Sequence, residues 1–375
     1  MLYFRCDLYK YTNHNQFQAM RILILLVVFA LMGNILFAQD KQAAENLVNE
    51  GIPFHDKGDY AGAITRYDKA LALDKDNLLA LTEKALTLLA SQKYEESVRA
   101  CQKALDTHRG EVGLRHLYVT YGNAMDELKE SDKSIEKYDE GIKLFPDFYE
   151  LYFNKGITLA KLSKDDEALL CFQKSILLNP THPGSHNAMA RVLNTQNKRI
   201  PSLLAFCRFF VVEPQSERAK ANLANLSKIL KGNVEQKGQK EVMINLSPAL
   251  LADLKAKGKP KDDNFSIVEM ILSMASALDI DEKYKNQTEV EQFIRKFKSV
   301  CSSLEESKKD NHGFCWEYYV PYFVEMNKQK FVDTFAHIAF ATSVDAENKK
   351  WLDGHGGDIS LFYEWSKAFA FKQLN

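Results

Sequence analysis

Residues 149–182 read YELYFNKGITLAKLSKDDEALLCFQKSILLNPTH, and these 34 residues decide the fold. Small residues hold the eighth and twentieth places (Gly156, Ala168), an aromatic the twenty-fourth (Phe172) and a proline the thirty-second (Pro180). The same order recurs outward from starts at 44, 78, 115 and 183, with one spacing of 37 among spacings of 34. The eighth place holds Gly51, Ala85, Gly122, Gly156 and Ala190; the twentieth holds Ala63, Ser97, Ser134, Ala168 and Ser202. The twenty-fourth holds Tyr67, Cys101, Tyr138, Phe172 and Phe206. A period in this range marks stacked supersecondary units that share one continuous core. The small places let two helices of a hairpin touch, and the large residue at the twenty-fourth fills the gap toward the next unit. In the last three units proline at the thirty-second place (Pro146, Pro180, Pro214) then ends the second helix, because it lacks the helical N–H, while the first two units carry Lys75 and Arg109 there. In the fifth unit Phe209 stands where the others carry Ala, Gly or Ser, so this unit is expected to pack onto something other than a sixth copy.

The pattern resembles the tetratricopeptide repeat family over residues 42–231, about half of the chain. That resemblance implies an all-α fold: a right-handed solenoid of about five helix hairpins, a capping helix from Ser216, and a separate helical domain after it. It also implies a protein or peptide partner held in the concave face, which the first helix of each unit lines. The candidate partner-binding residues are Asn123, Phe153, Asn154, Ile157, Asn187, Arg191 and Asn194. Co-chaperone members of the family clamp a terminal carboxylate with two lysines, two asparagines and an arginine. Asn123 and Asn154 match the asparagines, but Val119, Gly184 and Ala188 stand at the cationic places. The resemblance therefore implies amide pairing to an extended backbone, with Arg191 as a single cation. The alternative is that these amides are a solvated surface.

The rest of the chain reads differently. Residues 22–32 form an unbroken apolar run, and Ala38 precedes a polar residue, so residues 1–38 have the layout of a secretory signal peptide. A single membrane anchor is the alternative, although the stretch 22–38 is short for a span. Asp7, Asn13, His14 and Asn15 before the run point to Met20 as the true start. Export to the periplasm or medium of a bacterium is expected. Residues 232–246 read as a polar linker and 247–375 as an aromatic-rich helical domain, with Thr288 and Glu291 as a capping box. Helices are expected near 265–279, 288–307, 314–327, 329–343, 345–353 and 358–371. All three tryptophans, Trp316, Trp351 and Trp365, lie in this half. Their first reading is core; the second is a groove for a sugar or a peptide.

Chemistry is sparse. No two cysteines have metal-knuckle spacing, so neither a metal nor a cofactor is expected. A Cys301–Cys315 disulfide is left open. The glycine-rich phosphate loop, the zinc helix motif and the serine elbow are all absent. Asp353, His355 and Asp358 form the best acid–base cluster. Formal net charge is -1, which excludes a general nucleic-acid binder. The favoured reading is a non-catalytic exported scaffold or adaptor, alone or as a member of an envelope complex. Its rival is an envelope enzyme with the active site in residues 247–375 and the repeats as a substrate or assembly module.

Overall fold

The computed structural model describes residues 20–21, 39–237, 241–246, 250–251, 263–309, 311–372 and 374. The expected leader falls outside these residues except for Met20 and Arg21. Among the described residues no helix is long and apolar enough to cross a membrane. They divide into two compact units, one ending at Pro146 and the other beginning at Asp147. The fold is all-α apart from one short β-hairpin.

The first unit contains α1 (residues 39–56), α2 (Tyr60–Leu73), α3 (Leu78–Ala90), α4 (Tyr94–Thr107), α5 (Leu114–Glu127) and α6 (Ser131–Leu144). These are three antiparallel pairs in the expected register. The 37-residue spacing is taken up by the loop 108–113 between α4 and α5. Ala44 and Val48 of α1 close on Ala63, Tyr67 and Ala70 of α2, all buried. Asp59 and Asn77 cap α2 and α3 by accepting the N–H of Gly62 and Ala80.

The second unit continues with α7 (Tyr149–Lys161), α8 (Asp165–Leu178), α9 (Pro183–Thr195), α10 (Arg199–Val212) and α11 (Glu217–Lys231). Ser216 caps α11 through the Ala219 N–H, as its sequence position predicts. Within the stretch read as a linker, β1 (Val234–Lys237) pairs antiparallel with β2 (Glu241–Ile244), where residues 242–246 also suggest a short extended piece, and Val234 faces Ile244. Backbone pairing orders this segment without an apolar period, which is why its composition read as loop. There follow α12 (Ser266–Ala277), α13 (Glu289–Ser307), α14 (Phe314–Lys328), α15 (Val332–Ala339), α16 (Ala346–Gly354) and α17 (Gly356–Ala368). The Thr288–Glu291 capping box on α13 is present. A short helix over 247–256, which the sequence suggests after Ser247-Pro248, falls outside the described residues except at 250–251.

Two local devices set each hairpin. The first is contact between the eighth and twenty-fourth places. A Cβ added to Gly156 would stand 2.6 Å from Phe172, and one added to Gly51 or Gly122 would meet Tyr67 or Tyr138 closer still. The sequence reading placed these rings toward the next unit; the structure seats them on the glycine of their own hairpin. At two of the three units with serine in the twentieth place it adds a bond: Ser97 donates to the Ala85 carbonyl and Ser202 to that of Ala190, both at 2.8 Å.

The second device is the turn. Gly58, Gln92, Lys129, Ser163 and Asn197 all have φ between 57° and 79°, and each occupies the fifteenth place of its unit. At Gln92 the N–H bonds the Leu89 carbonyl and the next N–H bonds that of Leu88, a Schellman closure. The same pair of bonds recurs at the other four turns and again at Lys330, between α14 and α15. Only one of the five repeat positions is glycine, so the others hold a left-handed backbone against the preference of an L residue.

The expectation for the fifth unit holds. On α10, 13 of 14 residues are buried, Phe209 among them. This helix touches α9, α11, α12, α14 and α15, so no solvated face is left. A composition break at 232–246 hides this, since the last repeats and the C-terminal helices share one compact unit.

Two predictions follow from these contacts. Lys129→Gly or Ser163→Gly relieves left-handed strain at an exposed site and raises unfolding free energy by about 1 kcal/mol in urea titration. Gly156→Ala lowers it by about 1–3 kcal/mol through overpacking. Pairing Gly156→Ala with Phe172→Leu recovers part of that loss.

Candidate partner-binding face

In the second unit α7, α9 and α11 are the first helices of successive repeat places. Asn187, Arg191 and Asn194 recur on α9 at a spacing of four and then three, so they share one helix face. Arg191 is exposed and Asn194 half-buried. Arg191 has no ion pair among the described residues. Asn187 is buried: the Asn222 amide of α11 donates to its Oδ1 at 2.8 Å, and Asn225 donates in turn to Asn222 at 3.3 Å. Asn187 is therefore engaged by the capping helix rather than free for a ligand.

On α7, Asn154 donates to the Glu150 carbonyl of its own helix at 2.8 Å. Phe153 lies edge-on to the His182 ring, with centroids 4.7 Å apart, and Ile157 is half-buried. His182 caps α9 by accepting the Ser185 N–H, and burial lowers its pKa. Gly184, at one cationic place of the carboxylate clamp, sits under His182 and Phe153, leaving no room for a lysine stem. In the first unit Asn123 accepts the Tyr138 hydroxyl at 2.7 Å, so its carbonyl end is used inside its own hairpin. Val119, at another cationic place, is buried.

The structure thus leaves Arg191, Asn154, Asn194 and Ile157 on an accessible face of α7 and α9, while Asn123 and Asn187 serve internal bonds. Asn222 and Asn225 were missed by sequence reasoning. The signal was present: Glu217 stands 34 residues after Pro183, so α11 continues the register and places two more asparagines on a first helix.

The position of α9 is fixed by a neutral histidine. His186 is wholly buried, donating through Nε2 to the Pro180 carbonyl at 3.0 Å and accepting the Tyr319 hydroxyl of α14 on Nδ1 at 2.8 Å. Burial, with the Arg208 charge nearby, pushes its pKa down to about 3.

The rival acid–base cluster does not assemble. Asp353 and Asp358 are exposed, and neither bonds His355 among the described residues. His355 instead bonds the Trp351 carbonyl at 2.7 Å and stacks on that ring at 4.0 Å, with His337 on the opposite side at 3.8 Å. Trp316 is buried against Phe265, and Trp351 and Trp365 are half-buried. Most of the aromatic excess is core. Cys301 and Cys315 are both buried free thiols, so the disulfide left open is not formed. Among the described residues no cluster of ligating side chains could hold a metal.

Comparison with known proteins agrees with this architecture. Tetratricopeptide repeat models match residues 54–111 and 149–182, and the chain carries a tetratricopeptide-repeat segment. It is 31% identical over 154 residues to the "Protein STIP1 homolog" of Dictyostelium discoideum, covering 33% of this chain and 27% of that protein. It is 24% identical to the "Hsp70-Hsp90 organizing protein" of Triticum aestivum over 54% of this chain and 35% of that one. The chain thus spans about a quarter to a third of these two relatives. Among solved structures, the type IV pilus biogenesis factor PilW is 17% identical with a TM-score of 0.42, over 50% of this chain and 91% of that one.

Because His186 is held neutral, the unfolded chain takes up a proton near pH 6.5 that the folded chain refuses until about pH 3. Its contribution is complete above pH 6.5 and is lost as pH falls through that window. His186→Gln is expected to destabilise at pH 7 yet to show a shallower loss of urea midpoint between pH 6.5 and 4.

Proposed function

We propose that the chain is an exported, non-catalytic adaptor that holds an extended segment of a protein partner along the first-helix face of α7, α9 and α11. One observation carries the reading. The exposed Arg191 guanidinium has Asn187 and Asn194 on its helix face and no carboxylate paired with it among the described residues. Half-buried amides on α7 and α9 suit the alternating N–H and C=O groups of an extended backbone, and the single cation suits one acidic group on it. The relative named for organizing Hsp70 and Hsp90 supports a scaffold role. Missing lysines at Val119 and Gly184 argue against the full carboxylate clamp and for a longer, less charged segment. Export rests on the apolar run at residues 22–32 with Ala38 before a polar residue.

Two measurements test this. Full-length chain carrying Arg191→Glu and Asn194→Ala should fold with unchanged melting temperature, since both side chains lie at the surface. It should lose tenfold or more of the partner recovered from an envelope fraction. Recovery of the same proteins in equal amount would sink the groove. Amino-terminal sequencing of the exported protein should begin at Gln39; an intact leader in a membrane fraction would identify an anchor.

A further inference from the structure

The most unusual residue in the second unit is Arg208. It lies on α10, is 3% exposed, and has no ion pair among the described residues. Its Nη1 reaches the Ser366 hydroxyl at 3.4 Å, the guanidinium also bears on the Tyr322 hydroxyl, and its Nε–H has no acceptor. The guanidinium lies 4.7 Å from the Tyr322 ring centre and 4.9 Å from that of Phe371. Ring faces attract a cation but do not replace a hydrogen-bond acceptor. A buried charge left this way is costly, and native structures rarely keep one without a reason.

A second orphan stands beside it. Tyr318 on α14 is 1% exposed, and its hydroxyl has no partner. Both residues line one cleft of about 740 Å³ between α8, α10, α14, α17 and residues Phe369, Phe371, Lys372 and Leu374. The cleft is in the range of small-molecule sites. Its other walls are aliphatic and aromatic, with Phe371 stacked on Tyr318 at 4.6 Å. Exposed Lys174 and Lys367 stand at its edge, and no carboxylate is among its lining residues.

We propose that this cleft binds a small monocarboxylate with an apolar body. The Arg208 Nε–H and the Tyr318 O–H, two donors without a partner in the wall of this cleft, would be satisfied by the oxygens of one carboxylate, an acceptor that arginine favours. The apolar walls take the tail, and the edge lysines draw the anion in. The cleft lies against second helices α8 and α10, so its occupancy is independent of the first-helix face proposed for the protein partner.

The test uses the full chain with octanoate, 1-octanol and octyl phosphate as probes, read by calorimetry and thermal shift. Octanoate should bind at least tenfold tighter than 1-octanol and raise the melting temperature. Arg208→Met should weaken octanoate tenfold or more while leaving the apo protein as stable or more stable, because it removes a buried uncompensated charge. Tyr318→Phe should weaken octanoate about tenfold or more, the effect of one hydrogen bond to a charged acceptor, without altering the fold. Equal binding of octanoate and 1-octanol, or no octanoate binding, overturns the proposal. So does unchanged affinity in Tyr318→Phe, which decides the matter if Arg208→Met does not fold. Octyl phosphate binding tenfold tighter than octanoate would overturn the carboxylate assignment.

Discussion

Burial of α10 on every side is the constraint from which the second unit is built. An ordinary repeat helix keeps a polar flank, because its stripe of apolar residues spans only part of its circumference. On α10 the run from Ile200 to Val211 leaves no such flank, and α9, α11, α12, α14 and α15 close over it. Two arginines are buried in consequence, and they fare differently. Arg199 donates from Nε and Nη2 to the Ile229 carbonyl near the end of α11, and from Nη1 to Ser273 of α12 at 3.1 Å, with Glu269 at 3.9 Å. Its charge is placed on acceptors, and in doing so it ties three helices together. Gly232 is required there, since a Cβ would strike the Arg199 guanidinium. Arg208 has the Ser366 and Tyr322 hydroxyls and two ring faces but leaves its Nε–H without an acceptor, and this asymmetry between two arginines on one helix is what the proposed carboxylate would remove.

Elsewhere the geometry rests on contact distance. A glycine under an aromatic ring lets paired helices approach so that tyrosine or phenylalanine fills the seam. Alanine with cysteine does the same at Ala85 and Cys101, both fully buried, with the Ser97 hydroxyl clasping the Ala85 carbonyl. The turns show the opposite economy. Gln92, Lys129, Ser163 and Asn197 accept a left-handed backbone because the Schellman bonds and the packing of both helices over-determine it.

These two devices explain what was legible in the sequence. The seam was readable because it is made by side-chain size, which the sequence states directly. Caps at Ser216 and Thr288 were readable because the capping oxygen lies within three residues of its N–H. The turn at the fifteenth place was not, since a positive φ belongs to the backbone and only Gly58 advertises it. The hairpin at 234–244 was hidden for a related reason: strand pairing uses main-chain groups that every residue carries. Asn187, read as a ligand contact, proved to bond Asn222, and Arg208 carried no local signal at all. Both outcomes depend on which helix arrives from 35 or more residues away, and no local spacing encodes that.

The way α10 is covered also limits where a partner can bind in the second unit. Helices α12, α14 and α15 touch α10 directly, so its side of the repeats is occupied by the chain itself. What remains open is the first-helix side, where α7, α9 and α11 present Asn154, Arg191, Asn194 and Asn225. On that side Asn187 and Asn222 bond each other and hold the helices in register, while Arg191 is exposed and Asn194 half-buried. Asn187 and Asn222 therefore serve the face indirectly, fixing the separation of α9 and α11 over which an extended chain would lie. His186, one residue earlier, does the same from beneath by bonding Tyr319. For the proposed partner segment, packing of α10 against α12, α14 and α15 would leave fewer groups of this chain to order on binding, which lowers the entropy cost of association.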